Sequence, residues 1–422
     1  MYIDEWSEST SVVADILQVD DFAAFLERHW EKSVCHARIG SVGESSRRAA
    51  ICRLLNLAQV EQLIVAAPSG TDSAVSIVEN FVAQPIFGGS GNSRGLTIAM
   101  EAFSRGATLL VPGLQHRLRR VRDLCRQFDN TMLSYGLPLK QATTANAYVT
   151  PPQAQGFGVH YDNHCAVILQ LHGSKTWTVY APQDPLPVRR CTSVIAEDAL
   201  GEIVMSVRLE PGDVLYVPRG FAHCAMSDND ASLHVTLGIF AATWSDLLAS
   251  LASDIPALRA AVRPSPGDGL SATQFYTSRM LPALGRSEIT EMLQQRLAES
   301  LTELPPLPGD RLQSLARVSQ LTPASRLARS PLVLVMVQLE GGDAVLRCPG
   351  CRLVLPCALL PALEFIADND FFYASDIPTG GAALDPLELV RLLTRHGVLT
   401  IVSPPEPQDE ARGPEVATHV TP

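Results

Sequence analysis

Between residues 142 and 240 glycine and proline cut the chain, at regular intervals, into short runs of strand length. Runs that short cannot bury a helical face, and a succession of short strands with punctuating turns builds a double-sheet barrel. The pattern is densest over residues 146–180, NAYVTPPQAQGFGVHYDNHCAVILQLHGSKTWTVY. Alternate residues of a strand share a face, so His160 and Asp162 project together while Tyr161 points away.

An imidazole and a carboxylate side by side supply two of the three ligands of a facial triad, the set that holds non-haem Fe(II) and leaves positions open. His223 fits the third place. It follows Pro211-Gly212-Asp213, a turn, and Val214-Leu215-Tyr216-Val217, an apolar strand stopped by Pro218. His164, His172 and His234 compete with it; His164 shares a face with the pair in an ideal strand, but only His223 has the turn–strand context. The tripeptide alone also fits a polar edge pair, so the surrounding residues decide.

Those residues are Asn146-x-Tyr148, Thr150-Pro151-Pro152, Gln155-Gly156-Phe157, His160-Tyr161-Asp162, Leu169-Gln170-Leu171-x-Gly173-x-Lys175-x-Trp177 and Pro218-Arg219-Gly220-x-x-His223. In this order and at this spacing the run resembles the JmjC-type cupin oxygenases, most closely the ribosomal-oxygenase branch, over roughly residues 100–240. The resemblance implies a cupin jelly roll, mostly β, with flanking helices. It also implies hydroxylation of a protein side chain, plausibly on a ribosomal protein, with Fe(II), 2-oxoglutarate and O2. Lys175 matches the lysine that faces the distal carboxylate of 2-oxoglutarate; a compact point charge suits one carboxylate in a narrow barrel. Asn146 and Tyr148 match pocket-lining positions, although Asn146 also suits a strand-end cap. Tyr161 and Asn163 flank the ligands and are candidates to face substrate. His234, Thr236 and Gly238 share one face of a later strand, which turns Thr236 inward; the family favours small hydroxyl residues near position 238, and glycine there removes a contact and widens the pocket. Two other readings stay open: the same chemistry on a peptide or small molecule in natural-product biosynthesis, and a non-catalytic cupin-fold binding or regulatory protein.

A net charge of −11 argues against broad nucleic-acid binding, which needs a basic surface. No apolar run is long enough to span a bilayer, the N-terminus lacks a secretory pattern, and nine scattered cysteines suit reduced thiols, so a cytoplasmic location is expected. Lysine occurs only at 32, 140 and 175.

In chain order, residues 12–32 read as helical, with Phe22, Phe25 and Leu26 on one face. Residues 48–66 and 71–82 read as further helices, the second capped by Thr71 or Asp72. Residues 87–95 form a glycine-rich connector or lid without the context of a phosphate loop. Residues 108–111 read as a strand and 114–134 as a helix that buries Leu118, Val121, Leu124 and Cys125.

The catalytic domain is thus expected over 1–243 and a helical segment over 244–303, which in the resembled family pairs two subunits into a homodimer. A linker is expected over 304–330, a winged-helix-like α/β unit over 331–403 and a disordered tail over 404–422. The α/β unit is read as strands 332–338, 344–348 and 398–402 and helices 357–367 and 385–396. Its four arginines against eight acidic residues suit a structural or partner-binding role rather than DNA binding. Cys348-Pro-Gly-Cys351 has the spacing of a redox pair or of half a zinc site; zinc needs a second ligand pair and only Cys357 follows nearby, so no role is assigned.

Overall fold

The computed structural model describes residues 12–38, 45–66, 75–79, 82–86, 93–191, 193–254, 286–309, 311–378 and 385–402. The chain divides into two compact units, Met1–Ser300 and Leu301–Pro422.

In the first unit the strands are β1 (Cys35–Ala37), β2 (Ser76–Glu79), β3 (Val82–Pro85), β4 (Thr108–Val111), β5 (Leu139–Thr150), β6 (Cys165–His172), β7 (Lys175–Tyr180), β8 (Ile203–Leu209), β9 (Val214–Val217), β10 (Ala222–Ser227) and β11 (Ser232–Ala241). They form an eight-stranded sheet in the order β1-β9-β6-β11-β5-β4-β2-β3 and a three-stranded sheet β10-β7-β8. Every strand pairing in both sheets is antiparallel. The sheets face one another across a core of Ala166 and Ile168 on β6, Trp177 and Val179 on β7, Leu209 on β8, Leu215 and Val217 on β9, and Ala225 on β10. This is the double-sheet barrel that the punctuated strand pattern requires.

The alternate residues of the large sheet face outward and are covered by helices. The helices here are α1 (Val12–Leu17), α2 (Phe22–Arg28), α3 (Ser45–Cys52), α4 (Leu57–Val65), α5 (Ser93–Ser104), α6 (Arg119–Ser134), α7 (Trp244–Asp254) and α8 (Arg286–Glu303). Leu17, Phe22, Phe25, Phe128 and Met132 from α1, α2 and α6 surround Val167, Tyr216 and Ile239. Strand β6 is buried on both faces for seven of its eight residues, which explains its continuous apolar run.

Several expected helices are divided. Residues 12–32 make two short helices because Gln18, with φ of 52°, ends the first and Asp21 is extended before the second. Residues 48–66 are interrupted by Asn56, which opens α4 through a capping box with Gln59. The helix expected at 114–134 begins as a 3-10 turn at Leu114–His116 and becomes α6 at 119; its buried face holds Val121, Leu124, Cys125, Phe128 and Met132. The helix expected at 71–82 is absent from the described part of that stretch: 76–79 and 82–85 are an antiparallel pair, with β2 also pairing to β4. Pairing to β4 is a long-range gain that local periodicity does not contain. The proposed cap residues Thr71 and Asp72 lie outside the described residues, as do 87–92 of the glycine-rich loop and 255–285 of the helical segment. Helix α5, which follows that loop, was not anticipated.

In the second unit the elements are α9 (Arg311–Arg317), β12 (Arg326–Arg329), β13 (Met336–Glu340), β14 (Asp343–Cys348), β15 (Cys351–Leu355), α10 (Leu360–Asp368), β16 (Phe371–Tyr373), α11 (Pro386–Arg395) and β17 (Leu399–Ile401). They form two three-stranded sheets, β16-β12-β17 and β13-β14-β15. Leu327, Leu346, Leu363, Ile366, Leu389, Leu393 and Leu399 share one core. The linker expected at 304–330 is therefore partly structured: α9 and β12 belong to this unit, and Leu327 is fully buried in it, although proline, serine and arginine crowd the local sequence. The tail from 404 lies outside the described residues.

Candidate metal and cosubstrate site

The barrel delivers His160, Asp162 and His223 to one place. One donor atom from each lies within 4.8 Å of the others, and this is the one such trio among the described residues. His160 and His223 sit opposite one another on an isolated antiparallel bridge. The main chains exchange two hydrogen bonds there, His160 N to His223 O at 3.2 Å and His223 N to His160 O at 2.8 Å. The ring centroids are 4.6 Å apart.

Each imidazole is oriented by a backbone carbonyl. His160 Nδ1 lies 2.8 Å from Gly158 O and His223 Nδ1 lies 2.9 Å from Phe221 O. A carbonyl only accepts, so Nδ1 is the donor in both rings and Nε2 is the nitrogen left to face a ligand. His223 Nε2 is 3.8 Å from Asp162 Oδ2. Burial would raise the Asp162 carboxyl, but the imidazoles of His164, His223 and His160 outweigh it and hold it below its ordinary value. Burial, then the neighbouring His160, pushes His223 down to about 4, so its imidazole is neutral at pH 7. Two imidazoles and one carboxylate, with donor atoms this close, suit a divalent metal.

The trio opens into a pocket lined also by Thr108, Tyr148, Phe157, Ile168, Lys175, Trp177, His234 and Thr236. Lys175 is 4% exposed, and burial lowers its pKa to about 7. Its Nζ donates to Thr150 Oγ1 at 2.9 Å, and Thr108 Oγ1 donates to the same oxygen at 3.1 Å. His234 stacks on Tyr148, with ring centroids 4.8 Å apart and planes 8° apart. The buried Trp177 Nε1 and His234 Nδ1 have no hydrogen-bond partner among the described residues. A pocket with a buried cation and two unsatisfied polar atoms is prepared for a polar, anionic guest.

Lys175, Tyr148 and Thr236 thus line the same pocket as the trio. Asn146 is not among the lining residues: it lies inside β5 rather than at a strand end, its Oδ1 accepts from Gly113 N at 3.1 Å, and its side chain also meets Tyr148, which does line the pocket. Tyr161 and Asn163 are also absent from the lining, and Asn163 Nδ2 donates to Val188 O at 3.3 Å. His172 is exposed at the end of β6. His164 stands beside the trio, Nε2 3.9 Å from Asp162 Oδ1, without joining it. Gly238 does not widen the pocket: a side chain there would meet Thr144 Oγ1 at 3.0 Å, and His164 and Phe240 each at 3.2 Å. Thr150, Trp177 and His234 were readable from strand alternation, as Thr150 shares the face of Tyr148 and Trp177 that of Lys175. Thr108 arrives on a strand distant in sequence and carries no local signal.

Comparison with known proteins agrees with this geometry. The JmjC domain family matches residues 115–247. The bifunctional lysine-specific demethylase and histidyl-hydroxylase NO66 of Drosophila persimilis is 30% identical over 235 residues, which cover 54% of this chain and 31% of that protein. Ribosomal oxygenase 1 of Rattus norvegicus is 46% identical over 137 residues, 30% of this chain and 23% of that protein. The chain thus spans less than a third of the length of these curated relatives. The structure of YcfD, a ribosomal oxygenase from Escherichia coli, in complex with cobalt and 2-oxoglutarate aligns with a TM-score of 0.53 at 18% identity, covering 91% of this chain and 98% of that one. That likeness establishes the fold. Residues 115–247 are a JmjC domain, homologous to that of the ribosomal oxygenases.

Proposed function

We propose that this chain is an Fe(II)- and 2-oxoglutarate-dependent hydroxylase that acts on a side chain of a ribosomal protein. The observation that carries this reading is the convergence of three metal-ligating atoms and one buried lysine on a single pocket. In this reading His160, Asp162 and His223 hold the metal, and Lys175 neutralises the distal carboxylate of 2-oxoglutarate. Iron bound there would activate O2 at the expense of 2-oxoglutarate, which leaves as succinate and CO2 while one oxygen atom enters the substrate C–H bond. The chain's own part is positioning. Gly158 O and Phe221 O orient the two imidazoles, Thr150 holds the lysine ammonium, and the ring pair Tyr148–His234 walls the pocket.

The names of the relatives, ribosomal oxygenase and histidyl-hydroxylase, support a protein substrate. We also read the segment after the barrel as the surface that pairs two subunits, the C-terminal unit as winged-helix-like, and the setting as cytoplasmic. No helix among the described residues is long and apolar enough to cross a membrane.

The test is deletion of the gene followed by intact-mass comparison of all ribosomal proteins. Loss of one oxygen mass from one protein supports the reading, and fragmentation names the residue. Unchanged masses together with 2-oxoglutarate turnover by the purified protein would move the substrate to a peptide or small molecule. No turnover with Fe(II), 2-oxoglutarate and any ribosomal fraction would leave the non-catalytic cupin.

A further inference from the structure

The C-terminal unit carries a second reactive cluster, independent of the iron site. Strands β14 and β15 are joined by the two-residue turn Pro349-Gly350, where Gly350 takes φ of 74°. The turn sets Cys348 directly opposite Cys351 as the last pair of the ladder. Directly opposed residues of an antiparallel pair have Cα atoms about 4.5–5.5 Å apart, inside the range a disulfide spans. The two thiols already hydrogen-bond to each other. Cys348 is 1% exposed, while Cys351 is half-buried and reachable from solvent.

A third group completes the cluster. Just past the C-terminal end of α11, His396 places Nδ1 3.1 Å from Cys351 Sγ. Arg311, from α9, donates from Nη2 to His396 O at 2.8 Å. Its guanidinium also lies close enough to both sulfurs to favour their anions. Thiol, imidazole and fixed cation are the parts that make a cysteine nucleophilic. The set is not a metal site, since the only donor trio within 4.8 Å among the described residues is that of His160, Asp162 and His223.

The geometry points to Cys348 and Cys351 as a redox-active dithiol that exchanges with small disulfides, with Cys351 as the attacking thiol, His396 as its base and Cys348 as the resolving thiol. Cys351 gives its proton to His396 Nδ1, and the thiolate attacks one sulfur of the small disulfide; that S–S bond breaks and the first small thiolate leaves. Cys348 then loses its proton and attacks Cys351 Sγ, expelling the second small thiol. The protein loses two electrons and two protons, and one small disulfide becomes two small thiols. Burial raises the Cys351 thiol and pushes Cys348 up to about 12, so both are protonated at neutral pH and the reaction depends on the imidazole. Burial, then Arg311 and Arg395, lowers the pKa of His396 and keeps it a free base near pH 7.

The test uses the full chain in glutathione redox buffers, trapped with an alkylating agent and read by peptide mass. The expected result is a Cys348–Cys351 linkage, two hydrogens lighter, that reverses with reduced glutathione. Cys348→Ser is expected to stop at a Cys351–glutathione mixed disulfide. His396→Asn is expected to slow linkage roughly tenfold at pH 7 and very little at pH 10, where the thiolate forms without a base. The exposed Cys357 serves as the internal control, with no dependence on His396. Both cysteines remaining fully alkylatable in the most oxidising buffer, or Cys348 pairing with another cysteine, would overturn the assignment. A wild-type rate in a folded His396→Asn chain at pH 7 would remove the base; if that variant does not fold, the wild-type linkage result alone decides whether the dithiol exists.

Discussion

His160 and His223 are joined by their main chains before any metal is considered: each amide donates to the other's carbonyl, at 3.2 and 2.8 Å. The bridge sets the two imidazoles side by side, and the carbonyls of Gly158 and Phe221 fix which nitrogen of each ring faces the pocket. Orientation of the two rings therefore belongs to the backbone of the barrel.

His160→Ala and His223→Ala are therefore expected to keep the fold, because the bridge does not use the side chains. Each should weaken Co(II) binding by more than ~100-fold, beyond what loss of an outer hydrogen-bond partner costs. Titration followed by Co(II) absorbance, with circular dichroism as the fold control, measures both. Wild-type affinity in either variant would exclude that ring as a ligand.

Cosubstrate binding should fall with rising pH. Burial lowers Lys175 from an ordinary value of 10.5 to about 7, so in the empty pocket its charge is present below that pH and lost above it. A dicarboxylate needs the cation; calorimetric affinity for 2-oxoglutarate with Mn(II) should drop by up to ~tenfold per pH unit above 7, with net proton uptake. The stability of the empty protein should move the other way. The folded value lies below the unfolded one, so the unfolded chain binds the extra proton between about 7 and 10.5, and stability rises across that window. Lys175→Met should bind weakly and abolish both dependences. An affinity that is flat from pH 6.5 to 9 in the wild type would separate the lysine from the ligand.

Gly238 and His164 occupy one space. A Cβ at 238 would stand 3.2 Å from His164 Cε1 and 3.0 Å from Thr144 Oγ1, so the imidazole must give by a few tenths of an ångström. Gly238→Ala should cost about 1–3 kcal/mol, as overpacking does. The penalty should shrink in the His164→Ala background, which urea unfolding of the four-member cycle would measure. Strict additivity would mean that the ring is not what the methyl meets.

Gly173 is less tolerant. It turns β6 into β7 with φ of 59°, and a Cβ would lie 2.1 Å from the Ala231 carbonyl oxygen. Backbone cannot yield as a flexible side chain does, so Gly173→Ala should destabilise by at least ~2 kcal/mol and disturb Lys175, two residues on. Thermal unfolding and 2-oxoglutarate affinity should fall together; an unchanged melting temperature would contradict the packing.

What the sequence determined by itself was local and periodic. Strand punctuation from 142 to 240 specified a barrel, alternation put His160 and Asp162 on one face, and the turn before Val214 marked the strand that leads to His223. The same logic located β4 to the residue, because Thr108-Leu-Leu-Val is a short apolar run stopped by Pro112. Tertiary structure decided what depends on partners distant in the chain. Residues 76–79 became strand because β4 offered an open edge, and 326–329 became strand because β16 and β17 flank it. Asn146 met the Gly113 amide, and Thr108 reached Thr150 from another strand. Periodicity states which face of an element is buried; only the completed sheets state what that face meets, because hydrogen bonds and packing between distant segments carry no local signature.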